Sequence, residues 1–284
     1  MQPRQTKWEI AVSKELAAVE KQEKRLEAAA QKAMPVGWKT ALEQKVPDKV
    51  SAGLESAFCK GFSVVFDQGR RIIEKTYRKT DIQTDFAVRD YAVQVKGRRK
   101  ELRNMHRHAK QHDTLTMAIT AVEGIGLGAL GVGMPDVVLF LSMLLRGIYE
   151  TALRYGFDYE SKQEQLLILK MMEASLSKGE EWVLRNEAVD ALLVQDLTQL
   201  AVPDLNQQMQ ATASAFAVDM LLLKFIQGIP VVGILGGAAN PVYYHKVMRY
   251  VQMKYRKRYL WRQRTGDSNE DCGNESESNE QNTV

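Results

Sequence analysis

Gly126-Leu-Gly128-Ala-Leu-Gly131 has the G-x-G-x-x-G spacing in which backbone amides can cradle a pyrophosphate, and a β-branched stretch, 114–122, precedes it. Glu150 stands near the place of a ribose-binding acid, roughly twenty residues on. A dinucleotide fold needs repeated βαβ units, however, and the sequence offers none before or after. Gly37-Trp-Lys39-Thr40 has only the end of a phosphate loop, without its upstream glycine. His106, His108 and His112 invite a metal, the last two standing one helical turn apart. The acid a zinc protease needs after His108 is missing and the neighbours are Lys and Arg, so a solvated basic face is expected and no metal site. There is no Gly-x-Ser-x-Gly elbow. Asp136 and Arg146 sit in an apolar context, where an unpaired charge is expensive. They predict a buried ion pair, with each other or of Arg146 with Glu150; the functional alternative is a polar pocket of Asp136, Arg146, Glu150 and Asp158. No cofactor is expected.

The elements that position these residues read as helices. Residues 8–33 are rich in Ala, Glu, Lys and Leu with thin apolar spacing, which suits a charged arm, so 1–36 is expected as an N-terminal helical arm. Phe62, Val65, Phe66, Gly69, Ile72, Ile73 and Tyr77 recur at three and four. Val88, Tyr91, Ala92, Val95, Leu102, Met105 and Ala109 mark the buried face of another long helix, with Lys96, Arg99, Arg103, Arg107 and Lys110 on its other side. An apolar helix is predicted over 137–155, ended by Gly156, and Asp158 suits the cap of the next. Further helices are expected over 182–193, over 211–226 and from Pro241 to about 262. The fold class is all-α: one multi-helix bundle with two glycine-rich apolar hairpin segments, spanning 37–264.

Those two segments are Gly124, Gly126, Gly128, Gly131 and Gly133 up to Pro135, and Gly228, Pro230, Gly233, Gly236 and Gly237 up to Asn240. Glycines at two to four let helix backbones approach closely and supply tight turns. Spanning a bilayer needs about twenty apolar residues; Glu123, Asp136 and Arg146 interrupt the first run, and glycines and prolines dilute the second. Helix packing is therefore preferred to insertion.

Composition adds a compartment and a partner class. The amino terminus is interrupted by Lys7, Glu9, Lys14 and Glu15, so no signal peptide is expected and the protein is taken as cytoplasmic. Cys59 and Cys272 are too few and too far apart for a disulfide framework. The net charge of +4 conceals an acidic tail, 265–284, with six acids and no base, read as disordered; the remaining body is more basic and suits an anionic partner. The terminal helix carries a Tyr244, Val247, Met248, Val251, Tyr255 and Tyr259 stripe, with Lys246, Arg249, Arg256, Lys257 and Arg264 opposite. Such a basic amphipathic helix suits an anionic membrane surface; nucleic acid is not expected, for want of a binding motif.

Gly131-Val-Gly-Met-Pro-Asp-Val-Val, Leu145-Arg-Gly-Ile-Tyr-Glu150 and Tyr155-Gly-Phe-Asp158 resemble the EcsC protein family, as do 228–240 and Tyr255-Arg-Lys-Arg-Tyr-Leu260. The resemblance runs from about Ala41 to Arg262 and is most specific at Tyr155–Asp158; Pro135-Asp136 reverses the order many relatives show. The family is named from a gene neighbouring a bacterial ABC transporter and has no established biochemical activity. The resemblance implies an intracellular bacterial protein linked to membrane, transport or secretion processes, and no reaction. The resulting expectation is a non-enzymatic protein bound peripherally at the cytoplasmic membrane face through its terminal helix. The alternatives are a small-molecule binder or enzyme at the Asp136/Arg146 pocket, and a soluble partner-binding module.

Overall fold

A computed structural model describes residues 6–32, 46–66, 73–111, 135–201, 203–227 and 241–265. Among these are nine α-helices, a 3-10 turn at Leu197–Gln199, and no strand. The helices are α1 (Lys7–Lys32), α2 (Asp48–Val64), α3 (Lys79–Lys96), α4 (Arg99–Gln111), α5 (Pro135–Arg154), α6 (Lys162–Leu176), α7 (Gly179–Leu193), α8 (Leu205–Gln227) and α9 (Pro241–Thr265). The glycine segments before α5 and α9 lie outside the described residues, as does the acidic tail after Thr265.

α9 is the central strut, in contact with α1, α5, α6 and α7. Every residue from Tyr250 to Lys257 is buried. Eight consecutive buried residues span more than two turns, so no face of that stretch is left to solvent. The surface helix expected from its stripe of tyrosines is therefore an interior one. α5 runs alongside it in the same direction. Gly147 faces Tyr244 and Met248, and the rings of Tyr155 and Tyr259 stand 6.0 Å apart. A methyl at position 147 would collide with the Tyr244 hydroxyl, so glycine there sets the close approach of the two backbones. Both helices open on a proline, at Pro135 and Pro241, where the missing amide costs nothing, and they begin at the same end of the bundle. α2 and α8 close the core beside α5 through Phe216, which stacks on Phe58 at 4.9 Å and meets Phe140 edge-on at 5.9 Å.

Two expectations change. The N-terminal helix packs on α4, α7 and α9, burying Val12, Glu15, Leu16, Val19 and Glu23 along one face. It is part of the bundle, because its buried acids meet cations of α9. The long helix expected over 88–109 is broken at Gly97, whose φ of 54° is left-handed and whose amide donates to the Val93 carbonyl. The chain reverses there, and α3 and α4 form an antiparallel hairpin in which Asp85 meets His108 at 3.1 Å. α3 buries Ile82, Phe86, Asp90 and Val93; Val88, Tyr91 and Val95, expected inside, point outward.

Gly156 ends α5 with φ 75°, as its position predicts, and the ring of Phe86 occupies the space a side chain would need. Gly156→Ala combines backbone strain with a steric collision and is expected to lower stability by about 3 kcal/mol. Gly53→Ala, in a mid-helix position with open space around it, is expected to be neutral or stabilising. Paired thermal melts of the two variants check this.

Candidate functional site

The cations of α9 are mostly consumed inside the protein. Lys254 is fully buried between Glu23 of α1 and Asp190 of α7. Lys257 reaches the same two acids at 2.6 and 2.8 Å, and Arg256 pairs with Glu15 at 2.5 Å. Arg258 clasps Glu164 of α6, which also accepts from the Tyr255 hydroxyl at 2.8 Å. Lys246 pairs with Asp219 of α8 at 2.6 Å. Of the five α9 residues expected to meet an anionic surface, Arg249 and Arg264 are exposed; Lys246, Arg256 and Lys257 are engaged. The physical reason is that a buried charge must be paired, and here the bundle supplies the acids. Glu15, Glu23, Glu164 and Asp190 were not singled out by sequence, although Glu15 and Glu23 fall in register with Val12, Leu16 and Val19. Burial raises the Glu23 carboxyl, but Lys254 and Lys257 outweigh it and hold it below its ordinary value.

Arg146 and Glu150 pair at 3.0 Å one turn apart on α5, and Arg154 adds a second contact to Glu150 at 3.4 Å. This matches the structural alternative for Arg146; the side chain of Asp136 lies outside the described residues. Asp158 stands apart from this ladder, paired with Lys79 at 3.1 Å. It does not cap α6. Its carboxylate accepts from the Glu160 amide, and the cap is Ser161, which accepts from the Glu164 amide. Phe157 lies beneath the guanidinium groups of Arg258 and Arg262, at 4.1 and 4.8 Å. The Tyr-Gly-Phe-Asp step therefore joins α5 to α3 on one side and to α9 on the other.

His106 turns inward, sharing a 2.8 Å hydrogen bond with the Tyr155 hydroxyl. Burial first, then Arg256 and Lys110, lower it to about 3, so it is a half-buried, neutral side chain and not part of a solvated face. Among the described residues no group of His, Cys, Asp and Glu is arranged to hold a metal. A cleft of about 430 Å³ lies between α2, the α6–α7 turn and α8. Most of its charged lining is paired: Glu173 with Arg185 at 3.0 Å, and Asp219 with Lys178 at 3.5 Å and with Lys246 outside the cleft.

The unconsumed chemistry is on the outer face of the α3–α4 hairpin. Lys100, Arg103, Arg107 and Lys110 are exposed at spacings of three and four, hence on one face of α4. Lys96 and Arg98 are exposed at the turn. Seven Lys and Arg face a single acid, Glu101, between Lys96 and Lys110. Of the seven, Arg99 is drawn to Glu15 at 2.5 Å, with Arg103 farther from it at 3.6 Å. On the other arm, Val88, Tyr91 and Val95 are 65%, 68% and 63% exposed, and their spacing puts them on one face of α3. Large apolar side chains this exposed in a contiguous row are the informative exception on a folded surface.

The sequence profile of the EcsC protein family matches residues 11–260. Protein EcsC of Bacillus subtilis (strain 168) is 23% identical over 143 residues, 50% of this chain and 52% of the relative. The chain thus aligns with about half the length of that curated relative. No solved structure matches. The profile match takes in both the α1 acids and the α9 cations that bind them. Glu23→Gln is expected to cost about 3 kcal/mol, because it leaves buried ammonium groups short of a partner. A depressed carboxyl contributes stability above its unfolded value, near 4.5, and loses it as pH falls through the folded value. Denaturant titrations should therefore show the gap between parent and variant shrinking as pH is lowered below about 4.5; a constant gap down to pH ~3 would contradict the pairing.

Proposed function

The chain belongs to the EcsC protein family, and from that premise and the hairpin surface we propose a non-enzymatic protein that binds peripherally to an anionic membrane at the cytoplasmic face. The contact is the outer face of the α3–α4 hairpin, not α9. One observation carries this: one hairpin exposes both a row of Val88, Tyr91 and Val95 on α3 and a row of Lys100, Arg103, Arg107 and Lys110 on α4. Cations attract the anionic headgroups, and the apolar row with its tyrosine enters the headgroup boundary. Nucleic acid would use the cations but has little use for two exposed valines, whereas lipid uses both. Among the described residues no helix is long and apolar enough to cross a membrane, and contact by a surface face requires none.

Each Lys or Arg near an anionic surface contributes about 1 kcal/mol. The triple variant Lys100→Glu, Arg107→Glu, Lys110→Glu is expected to lose at least about a hundredfold in partitioning onto phosphatidylglycerol vesicles at low salt. Val88→Ser with Val95→Ser should weaken binding without changing its salt dependence. Arg249→Glu should leave it unchanged. Equal sedimentation of the parent with phosphatidylcholine and phosphatidylglycerol vesicles would overturn the proposal, as would tight binding to duplex DNA indifferent to the valine changes.

A further inference from the structure

Lys178 and Lys246 share one acid. Each oxygen of the Asp219 carboxylate takes a lysine, Lys178 at 3.5 Å and Lys246 at 2.6 Å, and Asp219 itself is buried. The lysine pair farther along α9 differs: Lys254 and Lys257 have two acids between them, Glu23 and Asp190. Two ammonium groups on one carboxylate leave a surplus positive charge in a partly buried place, where it is unfavourable. Burial pushes the Lys246 ammonium down to about 8, with Asp219 opposing and Lys178 adding to the fall.

Lys178 also lines the cleft between α2, the α6–α7 turn and α8, and much of the remaining lining is apolar. Ala215, Val218 and Leu222 recur at three and four, so they share one face of α8, and Leu176 joins them from α6. Val218 is 36% exposed there. From Ala215 to Leu222 the wall is about 10 Å long, the reach of an octyl chain. The volume of about 430 Å³ is in the range that holds a small ligand. The other acids of the lining limit the charge such a ligand can carry. Glu173 is paired with Arg185, half-exposed Glu181 stands 4.0 Å from the same Arg185, and Asp48 is exposed. They disfavour a polyanion, while the two that face solvent are screened and weigh less than the enclosed lysine pair.

We infer that this cleft binds an aliphatic carboxylate, its head on Lys178 and its chain along Ala215, Val218 and Leu222. With the head on Lys178, Asp219 is left to Lys246, and each ammonium has a carboxylate of its own. The chain meanwhile covers apolar surface that water now touches. The site is built on helices other than the exposed hairpin, so it goes beyond the membrane reading and stands without it.

Isothermal titration of the full chain with octanoate tests the site. One-to-one binding is expected, about tenfold tighter than that of hexanoate, because two more methylenes are buried. Octanol and octylamine, which lack the negative charge, should bind at least about tenfold more weakly than octanoate. Lys178→Met and Lys246→Met each leave Asp219 one lysine, so both variants should fold, and each should weaken octanoate at least about tenfold. Val218→Ser should weaken octanoate and leave butanoate unchanged, and Arg107→Glu on the hairpin should change nothing. Absence of octanoate binding would overturn the proposal. So would equal affinity for octanol and octanoate, or octanoate affinity unchanged in both lysine variants. Octanoate binding as expected, in a protein that ignores phosphatidylglycerol vesicles, would sink the surface function and leave this site standing.

Discussion

Lys254 has no exposure at all, and the rest of the bundle is arranged around the need to neutralise it and its neighbours. A charge in that position is tolerable only if acids converge on it. Glu23 arrives from α1 and Asp190 from α7, while Glu15 and Glu164 take Arg256 and Arg258 from two other sides. A helix that reads as a basic surface element is thereby converted into the interior strut that ties α1, α6 and α7 together. The same demand helps to hold α1: its buried acids Glu15 and Glu23 anchor it together with Val12, Leu16 and Val19.

That use of charge divides the basic residues into two populations with different work. Inside, removing one partner of a buried pair costs several kcal/mol, so these cations are committed to the fold. Outside, Lys100, Arg107 and Lys110 of α4 each contribute about a kcal/mol or less to any contact, and they remain exposed to a partner. Gly97 makes the division possible. By reversing the chain between α3 and α4 it puts the exposed valine and tyrosine row and the exposed cationic row on the two arms of one hairpin.

The all-α class and the helices around 137–155, 182–193 and 211–226 were legible because long periodic segments between glycine and proline stops leave few alternatives. Gly156 and Pro241 were legible for the same local reasons. What misled was amphipathicity read one helix at a time. Val88, Tyr91 and Val95 have helical spacing, but so do Ile82, Phe86 and Val93, and only the packing against α5 decides which row is buried. On α9 the tyrosine stripe was real, yet the opposite side is enclosed too at Arg256 and Lys257, and an acid some 230 residues away in the chain meets Lys254 and Lys257 there. Such pairing is invisible to periodicity. It left a trace in Glu15 and Glu23, two acids in step with the apolar positions of a charged helix.

The account stands on the claim that the interior strut and the exposed hairpin have exchanged the roles their sequences suggest. Hydrogen–deuterium exchange of the full chain, with and without phosphatidylglycerol vesicles, tests it directly. Amides of residues 79–111 should gain protection on vesicles, while those of 241–265 exchange equally slowly in both conditions. Protection or opening confined to 241–265, with 79–111 unchanged, would contradict it.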